Sequence, residues 1–341
     1  MTSPRLRGST TLRATGRRAA CVAKSFPVLL AVCLLAAFGV AGCGTEGGGE
    51  ASAQELGARK IRVTTTTNWH TDLARQIGGD RVEVTGLMGP GVDPHLYEAT
   101  AGDVATLSES DMAIWNALNL EGKMEEGFAE VGEKVPVVAV GEAVPVEQRI
   151  RVENVRGEEF DPHIWFDASA WKRAAGAVAG AFKKLDPRHA AGYDKRLDDF
   201  VSEIERTDAA IRERVEQIPE RSRVLVTSHD AFSYFARSYG FRVAPIQGKS
   251  TAGEATTADI ERVGRTVAEA ELNAVFIETS VPRQTIEAGL AAARERGKAT
   301  RVGGELYGDA LGRPGTPEGT YAGAVGHNAE AIVEGLEGGA R

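Results

Sequence analysis

Residues 186–217 read DPRHAAGYDKRLDDFVSEIERTDAAIRERVEQ and have the pattern of one long amphipathic helix. Asp186 stands where an N-cap residue is preferred, Pro187 where a first helical turn tolerates proline, and Pro219 prevents the helix from continuing. The apolar positions with the three-and-four spacing of one helix face are Tyr193, Leu197, Phe200, Val201, Ile204, Ile211 and Val215. At 1.5 Å per residue such a helix is about 45 Å long, which exceeds the width of a small domain. We therefore predict a linking helix at 186–218.

The chain on both sides of this helix alternates between short β-branched runs and amphipathic runs. Examples are IRVTTTT before the helix and AVFIETS after it. Strands that alternate with helices predict a parallel-type sheet flanked by helices. The expected fold is α/β, with lobes at 60–185 and 219–341 joined by one long rigid helix. In such sheets, ligands bind beyond the carboxyl ends of the strands.

The first 42 residues differ in composition from the rest. Six basic residues precede the apolar run FPVLLAVCLLAAFGV, which is shorter than the ~20 residues that a transmembrane helix needs. We predict a secretory signal peptide at 1–42 and a flexible tether at 43–59. The ending VAGC resembles the lipobox of bacterial lipoproteins, which implies that Cys43 is lipidated and the protein is extracytoplasmic, anchored at the cell surface or in the periplasm. An ordinary signal peptide followed by a chance cysteine is the alternative.

Cysteine usage and charge restrict the kinds of partner. The cysteines are Cys21, Cys33 and Cys43, so cleavage before Cys43 leaves no disulfide and no thiolate metal ligand. Cleavage also removes six basic and no acidic residues, which changes the formal net charge from −8 to −14. Such an acidic chain is a poor candidate for nucleic acid and a suitable one for a cation.

The tripeptide Asp-Pro-His occurs twice, at 93–95 and 161–163, and each copy is followed by an apolar-aromatic pair. Proline restricts its own backbone and that of the preceding residue, so His95 and His163 are presented from stiffened loops. Each loop stands where a predicted strand gives way to a helix. One such turn is common, but two in the same lobe indicate a shared role for the two histidines.

Two further polar residues follow predicted strands in the second lobe. His229 lies in VLVTSHDAF and Asp309 in GGELYGDALG, and each alone could belong to a helix-capping segment. Together with the two earlier histidines they supply three imidazoles and one carboxylate. This donor set suits Zn(II), Mn(II) or Fe(II), and without thiolates it disfavours Cu(I). The remaining histidines, His70, His189 and His327, are not assigned to the site.

The ordered motifs resemble those of the metal-binding lipoproteins of bacterial ABC importers, the TroA-like and ZnuA-like (cluster A-I) solute-binding proteins, and the TroA type in particular. The resemblance extends from about residue 61 to the C-terminus. Its motifs are VDPHLYEATAGDV, FDPHIWFD, VTSHDAFSYFARSYGF, QGKSTAGEATTADI, FIETS, GGELYGDALG and GTPEGTY. It implies a metal ion between two α/β lobes, with His95 and His163 as ligands from the first and His229 and Asp309 from the second.

The same resemblance implies a function. It is that of a monomeric, non-enzymatic receptor that captures Zn²⁺ or Mn²⁺ outside the cytoplasm and delivers it to a membrane permease. Two departures leave the metal open. No histidine-rich loop lies between Tyr97 and His163, which weakens a zinc-only interpretation. His229 stands where strict manganese binders of the family often have Glu, which weakens a manganese-only one.

Two other functions compete with this one. A secreted zinc hydrolase would keep three protein ligands, an open position for water and a nearby general base. Here four candidate ligands would close a tetrahedral site, no HExxH occurs, and the possible bases Glu98 and Glu254 lie in predicted surface loops. An adhesin with a purely structural metal would unfold when the metal is lost.

Overall fold

The computed structural model describes residues 59–152 and 159–338. The predicted signal peptide 1–42, the lipidation site Cys43 and all but the last residue of the predicted tether 43–59 lie outside the described residues.

The first half of the described chain contains a four-stranded parallel sheet. Its strands are β1 (Ile61–Thr65), β2 (Val82–Gly86), β3 (Met112–Trp115) and β4 (Val137–Ala139), in the order β2-β1-β3-β4. Every neighbouring pair is parallel, with Ile61 opposite Val82 and Val63 opposite Met112. The carboxyl ends of the strands therefore meet at one edge, where the loop after β2 begins.

Four helices accompany this sheet. They are α1 (Asn68–Gly78), α2 (Ala101–Ser108), α3 (Glu125–Gly132) and α4 (Ala168–Leu185). Gly79 ends α1 with a positive φ of 58°, which glycine adopts without strain. Thr100 and Asp103 form a capping box at α2, and the Asp167 carboxylate caps α4.

The predicted linking helix is present. A 3₁₀ turn at Pro187–His189 leads into α5 (Ala190–Val215), which packs against α1 and α4 from the first half. Asp186 precedes this turn. The sequence predicted that its side chain would cap a backbone N–H, but it does not. Its buried carboxylate instead accepts hydrogen bonds from the Tyr193 hydroxyl at 3.0 Å and from Arg81 at 3.1 Å. Asp186 therefore forms an ion pair with Arg81 in place of the predicted helix cap.

The second half contains two short parallel strand pairs. The strands are β5 (Val224–Leu225), β6 (Arg242–Val243), β7 (Ala274–Glu278) and β8 (Arg301–Leu306), paired β5-β6 and β7-β8. The N–H of Phe276 donates to the carbonyl of Val226 at 2.9 Å, which brings the two pairs side by side. The helices of this half are α6 (Ser233–Tyr239), α7 (Thr257–Glu269), α8 (Gln284–Glu295) and α9 (Tyr321–Glu337).

One of the apolar clusters of the described chain contains residues from both halves. Phe166 stacks on Phe232 with ring centroids 4.7 Å apart, and Trp171 stacks on Tyr321 at 5.8 Å. The terminal helix α9 also packs against α5, so the linking helix contacts elements of both halves. The lobe boundaries 60–185 and 219–341 stay a prediction.

The turn after β3 has an unusual backbone. Residues 117–119 have positive φ angles of 63°, 53° and 63°, although none of them is glycine. The buried carboxylate of Glu121 holds this turn: it accepts hydrogen bonds from the Thr66 hydroxyl at 2.6 Å and from the N–H of Asn116 at 2.9 Å. The side-chain amide of Asn116 donates in turn to the carbonyl of Pro162 at 2.9 Å, so the turn supports the second Asp-Pro-His segment.

Candidate metal centre

The first predicted ligand, His95, lies in the loop that follows β2. The Asp93 carboxylate accepts a hydrogen bond from the N–H of His95 at 2.9 Å, which folds Asp-Pro-His into an Asx turn. This turn, with the intervening proline, places the imidazole of His95 in the interior, where 1% of the side chain is exposed.

The second Asp-Pro-His segment forms an equivalent turn. Asp161 accepts from the N–H of His163 at 3.0 Å, and its Oδ1 also lies 2.7 Å from His163 Nδ1. Both side chains are fully buried. The carboxylate fixes the orientation of the imidazole and leaves Nε2 of His163 directed away from Asp161, as carboxylates that hydrogen-bond metal-binding histidines commonly do.

The other two predicted ligands follow strands of the second half. His229 lies after β5, where Glu278 at the end of β7 accepts a hydrogen bond from its N–H at 2.9 Å and lies 2.7 Å from its Nδ1. Asp309 lies three residues beyond β8 and is fully buried. Neither residue has the helix-capping role that the sequence left open, because the N-cap of α6 is Phe232 and Asp309 faces the histidines.

The structure brings the four predicted side chains together. One possible ligand atom from each of His95, His163, His229 and Asp309 lies within 4.8 Å of those of the others. Asp309 carboxylate oxygens lie 3.1 Å from Nε2 of His163, 3.2 Å from Nε2 of His229 and 3.8 Å from Nε2 of His95. Three nitrogens and one oxygen at this separation can surround a single divalent ion.

Several buried atoms at the centre of this group lack good hydrogen bonds within the described part of the chain. They are both carboxylate oxygens of Asp309 and Nε2 of His95, His163 and His229. Buried polar atoms are normally satisfied, and leaving one unsatisfied costs about 1–3 kcal/mol. A cation bound between them would supply the missing partner, so the donor set fits a metal ion.

Burial and charge give the three histidines different proton affinities. Burial lowers the pKa of His95 to about 3, so its imidazole is neutral. Burial also acts to lower the pKa of His163 and His229, but their carboxylate neighbours outweigh it and raise both. For Asp309 burial acts to raise the pKa, and the attraction of His229 and His163 overcomes it, so that the carboxylate stays ionised. Metal binding requires neutral imidazoles, so protonation of His163 and His229 would oppose it.

The sequence did not reveal the residues that orient the ligands. The Asp-Pro-His pattern predicts Asp161 only as part of a turn, and no pattern identifies Glu278 or Lys249 as neighbours of the site. For Glu278 a signal existed: an acidic residue ends the apolar strand AVFIE at the carboxyl edge, and in the structure its side chain is fully buried. A carboxylate at such a position needs a partner.

The other histidines have partners elsewhere. His70 Nδ1 lies 3.0 Å from the Thr67 hydroxyl, and His189 Nδ1 lies 2.8 Å from the Asp186 carboxylate. His327 Nε2 lies 3.1 Å from a backbone carbonyl of β8. The two suggested general bases are exposed, and Glu98 pairs with Lys123 at 2.7 Å. Neither base therefore lies at the buried site.

Within the part of the chain that the structure describes, no helix has both the length and the apolar character required to cross a bilayer.

Comparison with known proteins gives consistent matches. The profile of the family described as ZnuA, zinc-uptake complex component A, periplasmic, matches residues 63–335. The chain is 41% identical over 309 residues to the manganese-binding lipoprotein MntA of Bacillus subtilis (strain 168), covering 91% of this chain and 99% of that one. It is 44% identical over 277 residues to the zinc-binding protein TroA of Treponema pallidum (strain Nichols), covering 81% and 89%. The solved structure of that TroA superposes with a TM-score of 0.79 at 44% identity, covering 81% of this chain and 99% of the other.

Proposed function

Because the chain belongs to the family of zinc-uptake complex component A proteins, we propose that it captures a divalent metal ion, zinc or manganese, for import by an ABC transporter. Its sequence relatives include proteins named for binding each of these metals. The chain takes up the ion between the two Asp-Pro-His turns and the loops after β5 and β8, then releases it to a membrane permease.

We infer that the ligands are His95, His163, His229 and Asp309. The observation that carries this assignment is the convergence of their ligand atoms within 4.8 Å in a buried site. The imidazoles of His163 and His229 each lie 2.7 Å from a buried carboxylate, an arrangement that orients histidines toward metals. Three neutral nitrogens and one carboxylate oxygen suit zinc and also accommodate manganese, so the donor set agrees with relatives of both names.

We infer that the protein is a receptor and not an enzyme. Four protein ligands leave no obvious open position for a reactive water, and relatives are named as metal-binding proteins and substrate-binding lipoproteins. Neither a hydrolase nor a purely structural adhesin has support among these names.

We also propose that the protein acts as a monomer, anchored outside the cytoplasm through a lipid on Cys43. Relatives named as lipoproteins support the anchor. The test is Cys43→Ser, which should release the protein from membranes. A variant that still fractionates with membranes would contradict the anchor.

The central experiment is metal analysis of the purified protein. After expression in metal-limited medium, the protein is loaded competitively with zinc and manganese, and bound metal is measured by elemental analysis. We expect one metal ion per chain, and little or none in His229→Ala. His327→Ala is the matched control, because its ring contacts only β8 and Tyr307 in the described structure. Full loading of His229→Ala would refute the ligand set, and an absence of binding by the parent would refute the function.

A further inference from the structure

A loop from the second half lies across both Asp-Pro-His turns. It comprises residues 248–256, between β6 and α7, and is called here the crossing loop. The Thr251 hydroxyl donates to Asp93 Oδ2 at 2.6 Å, and Lys249 Nζ lies 2.7 Å from Asp161 Oδ2. Thr251 and Asp93 are 158 residues apart in sequence. Each turn thus contacts the crossing loop through its aspartate, one by a hydrogen bond and the other by an ion pair.

Each aspartate divides its two oxygens between two tasks. Oδ1 of Asp93 accepts the N–H of His95, while its Oδ2 accepts the Thr251 hydroxyl. Oδ1 of Asp161 holds the N–H and the ring of His163, while its Oδ2 faces Lys249. The carboxylates that orient two metal ligands are therefore also the attachment points of the crossing loop.

The crossing loop is itself fixed to the second half next to His229. Lys249 Nζ lies 2.8 Å from the Asp230 carboxylate and also contacts the Ser233 hydroxyl. The N–H of Asp230 donates to the carbonyl of Gly248 at 3.1 Å. Lys249 therefore connects Asp230, the neighbour of His229 in the second half, to Asp161, which orients His163 in the first half.

These contacts are sheltered from water. Thr251 is 9% exposed, the Lys249 side chain 14% and the Asp161 side chain fully buried. Hydrogen bonds to charged acceptors are among the stronger ones in proteins, and low exposure reduces their screening. Moving the crossing loop away from the turns would break one such bond and one buried ion pair together.

His95 is the ligand least restrained by its surroundings. His163 and His229 each have a carboxylate 2.7 Å from Nδ1, whereas His95 Nδ1 has no hydrogen-bond partner among the described residues. His95 also lines the surface cavity that Gln247, Lys249 and Ser250 border. A metal ion that enters or leaves along this side must pass the crossing loop.

We propose that Thr251 and Lys249 form a latch that closes the metal site and sets the rates of metal entry and release. They are positioning residues that act through Asp93 and Asp161 and need not touch the ion. The proposal rests on the proposed function, since it concerns the exchange of that same metal ion.

The test compares Thr251→Val, which keeps the shape and removes the hydroxyl, with Thr251→Ser, which keeps the hydroxyl. Zinc-loaded protein is mixed with excess chromogenic chelator to measure release, and apo protein is mixed with zinc to measure association. We expect Thr251→Val to exchange zinc about tenfold faster in both directions, which corresponds to about 1.4 kcal/mol in each barrier. Thr251→Ser should restore the parent rates, and Lys249→Met should accelerate exchange as Thr251→Val does.

Thr266→Val is the matched control, because it removes an exposed hydroxyl from α7 that donates only to Arg262 of its own helix in the described structure. The thermal midpoint of each apo variant shows whether a variant has merely lost stability. Parent rates in both Thr251→Val and Lys249→Met would overturn the latch. Equal acceleration by Thr251→Val and Thr251→Ser would also overturn it, since this points to packing and not to the hydroxyl. Faster zinc release with unchanged association would overturn it as well, since this points to misplaced ligands.

This result can be told apart from failure of the proposed function. If the parent protein binds no zinc or manganese, the function fails. If the parent binds and the variants exchange metal at its rate, only the latch fails.

Discussion

At the scale of single residues, a change at Glu278 tests whether metal binding depends on the carboxylate that orients His229. Its carboxylate accepts the N–H of His229 and lies 2.7 Å from the ring nitrogen opposite the metal side. Mutation of a carboxylate that hydrogen-bonds the ring of a metal-binding histidine typically lowers metal affinity about 10–100-fold. We expect Glu278→Gln to weaken zinc binding by about this factor, as measured by competition with a chelator.

Glu305→Gln is the control for that prediction, because Glu305 is an exposed acid at the register position of β8 opposite Ile277. It removes the same charge one strand away. Affinity equal to that of the parent in Glu278→Gln would mean that the carboxylate is not needed to orient His229.

The sequence identified His95, His163, His229 and Asp309 as candidates because each belongs to a loop that ends a predicted strand. The family resemblance joined them into one ligand set, which stays a prediction. Prolines mark two of these loops, and parallel sheets gather strand ends at one edge. The partners of these residues were harder to see. Glu278 looks like an ordinary charged residue at a strand end, and only the register of β7 beside β5 places it under His229. The latch joins residues 158 positions apart, which no local pattern encodes.

At the scale of elements, the ends of the linking helix were predicted within a few residues. The ion pair of Asp186 with Arg81 at its start was not predicted. The pattern of 186–217 is that of α5 and its preceding turn. The role of Asp186 depends on Arg81, which reaches it from a different part of the chain. The left-handed turn at 117–119 was equally invisible, because positive φ is normally signalled by glycine and none is present.

The turn after β3 predicts a pH dependence of stability. Burial raises the pKa of Glu121 from 4.5 to about 7, against the opposing effect of its hydrogen-bond donors. Between these values the folded protein holds a proton that the unfolded chain has released. The free energy of unfolding should therefore fall as pH rises from about 4.5 to 7, by up to about 3 kcal/mol from this group.

Urea unfolding of the apo protein and of Glu121→Gln across this pH range isolates the contribution of Glu121 to the pH dependence of the free energy of unfolding. The glutamine cannot titrate, so its free energy of unfolding should lack this part of the slope. It should also be lower at acidic pH, because the amide replaces one acceptor oxygen that faces the N–H of Ala117. Parallel pH profiles for the two proteins would contradict the prediction.

At the scale of the whole molecule, we expect α5 to limit how far the halves can separate. Within Ala190–Val215 there is no proline and the one glycine is Gly192, near the start. A helix without such interruptions bends only gently, and α5 packs against both halves. We expect the radius of gyration in solution scattering to be the same for apo and metal-loaded protein.

Hydrogen exchange locates the movement that remains. On metal binding we expect added protection in the crossing loop and around His95, with none in α5, because local opening is confined to segments with few buried contacts. A clear decrease in the radius of gyration on loading would show instead that the halves close by a hinge.

The tryptophan beside the site has a practical consequence. Trp165 places its ring edge-on 5.4 Å from that of His163, and its indole N–H donates to the carbonyl of Gly308 at 3.1 Å, one residue before Asp309. Its environment is thus set by both halves of the site at once. Because a metal ion bound at His163 would place positive charge beside this indole, we expect metal binding to change the intensity or the wavelength of the tryptophan emission. Fluorescence titration of the apo protein with zinc measures this change on the native chain without a dye.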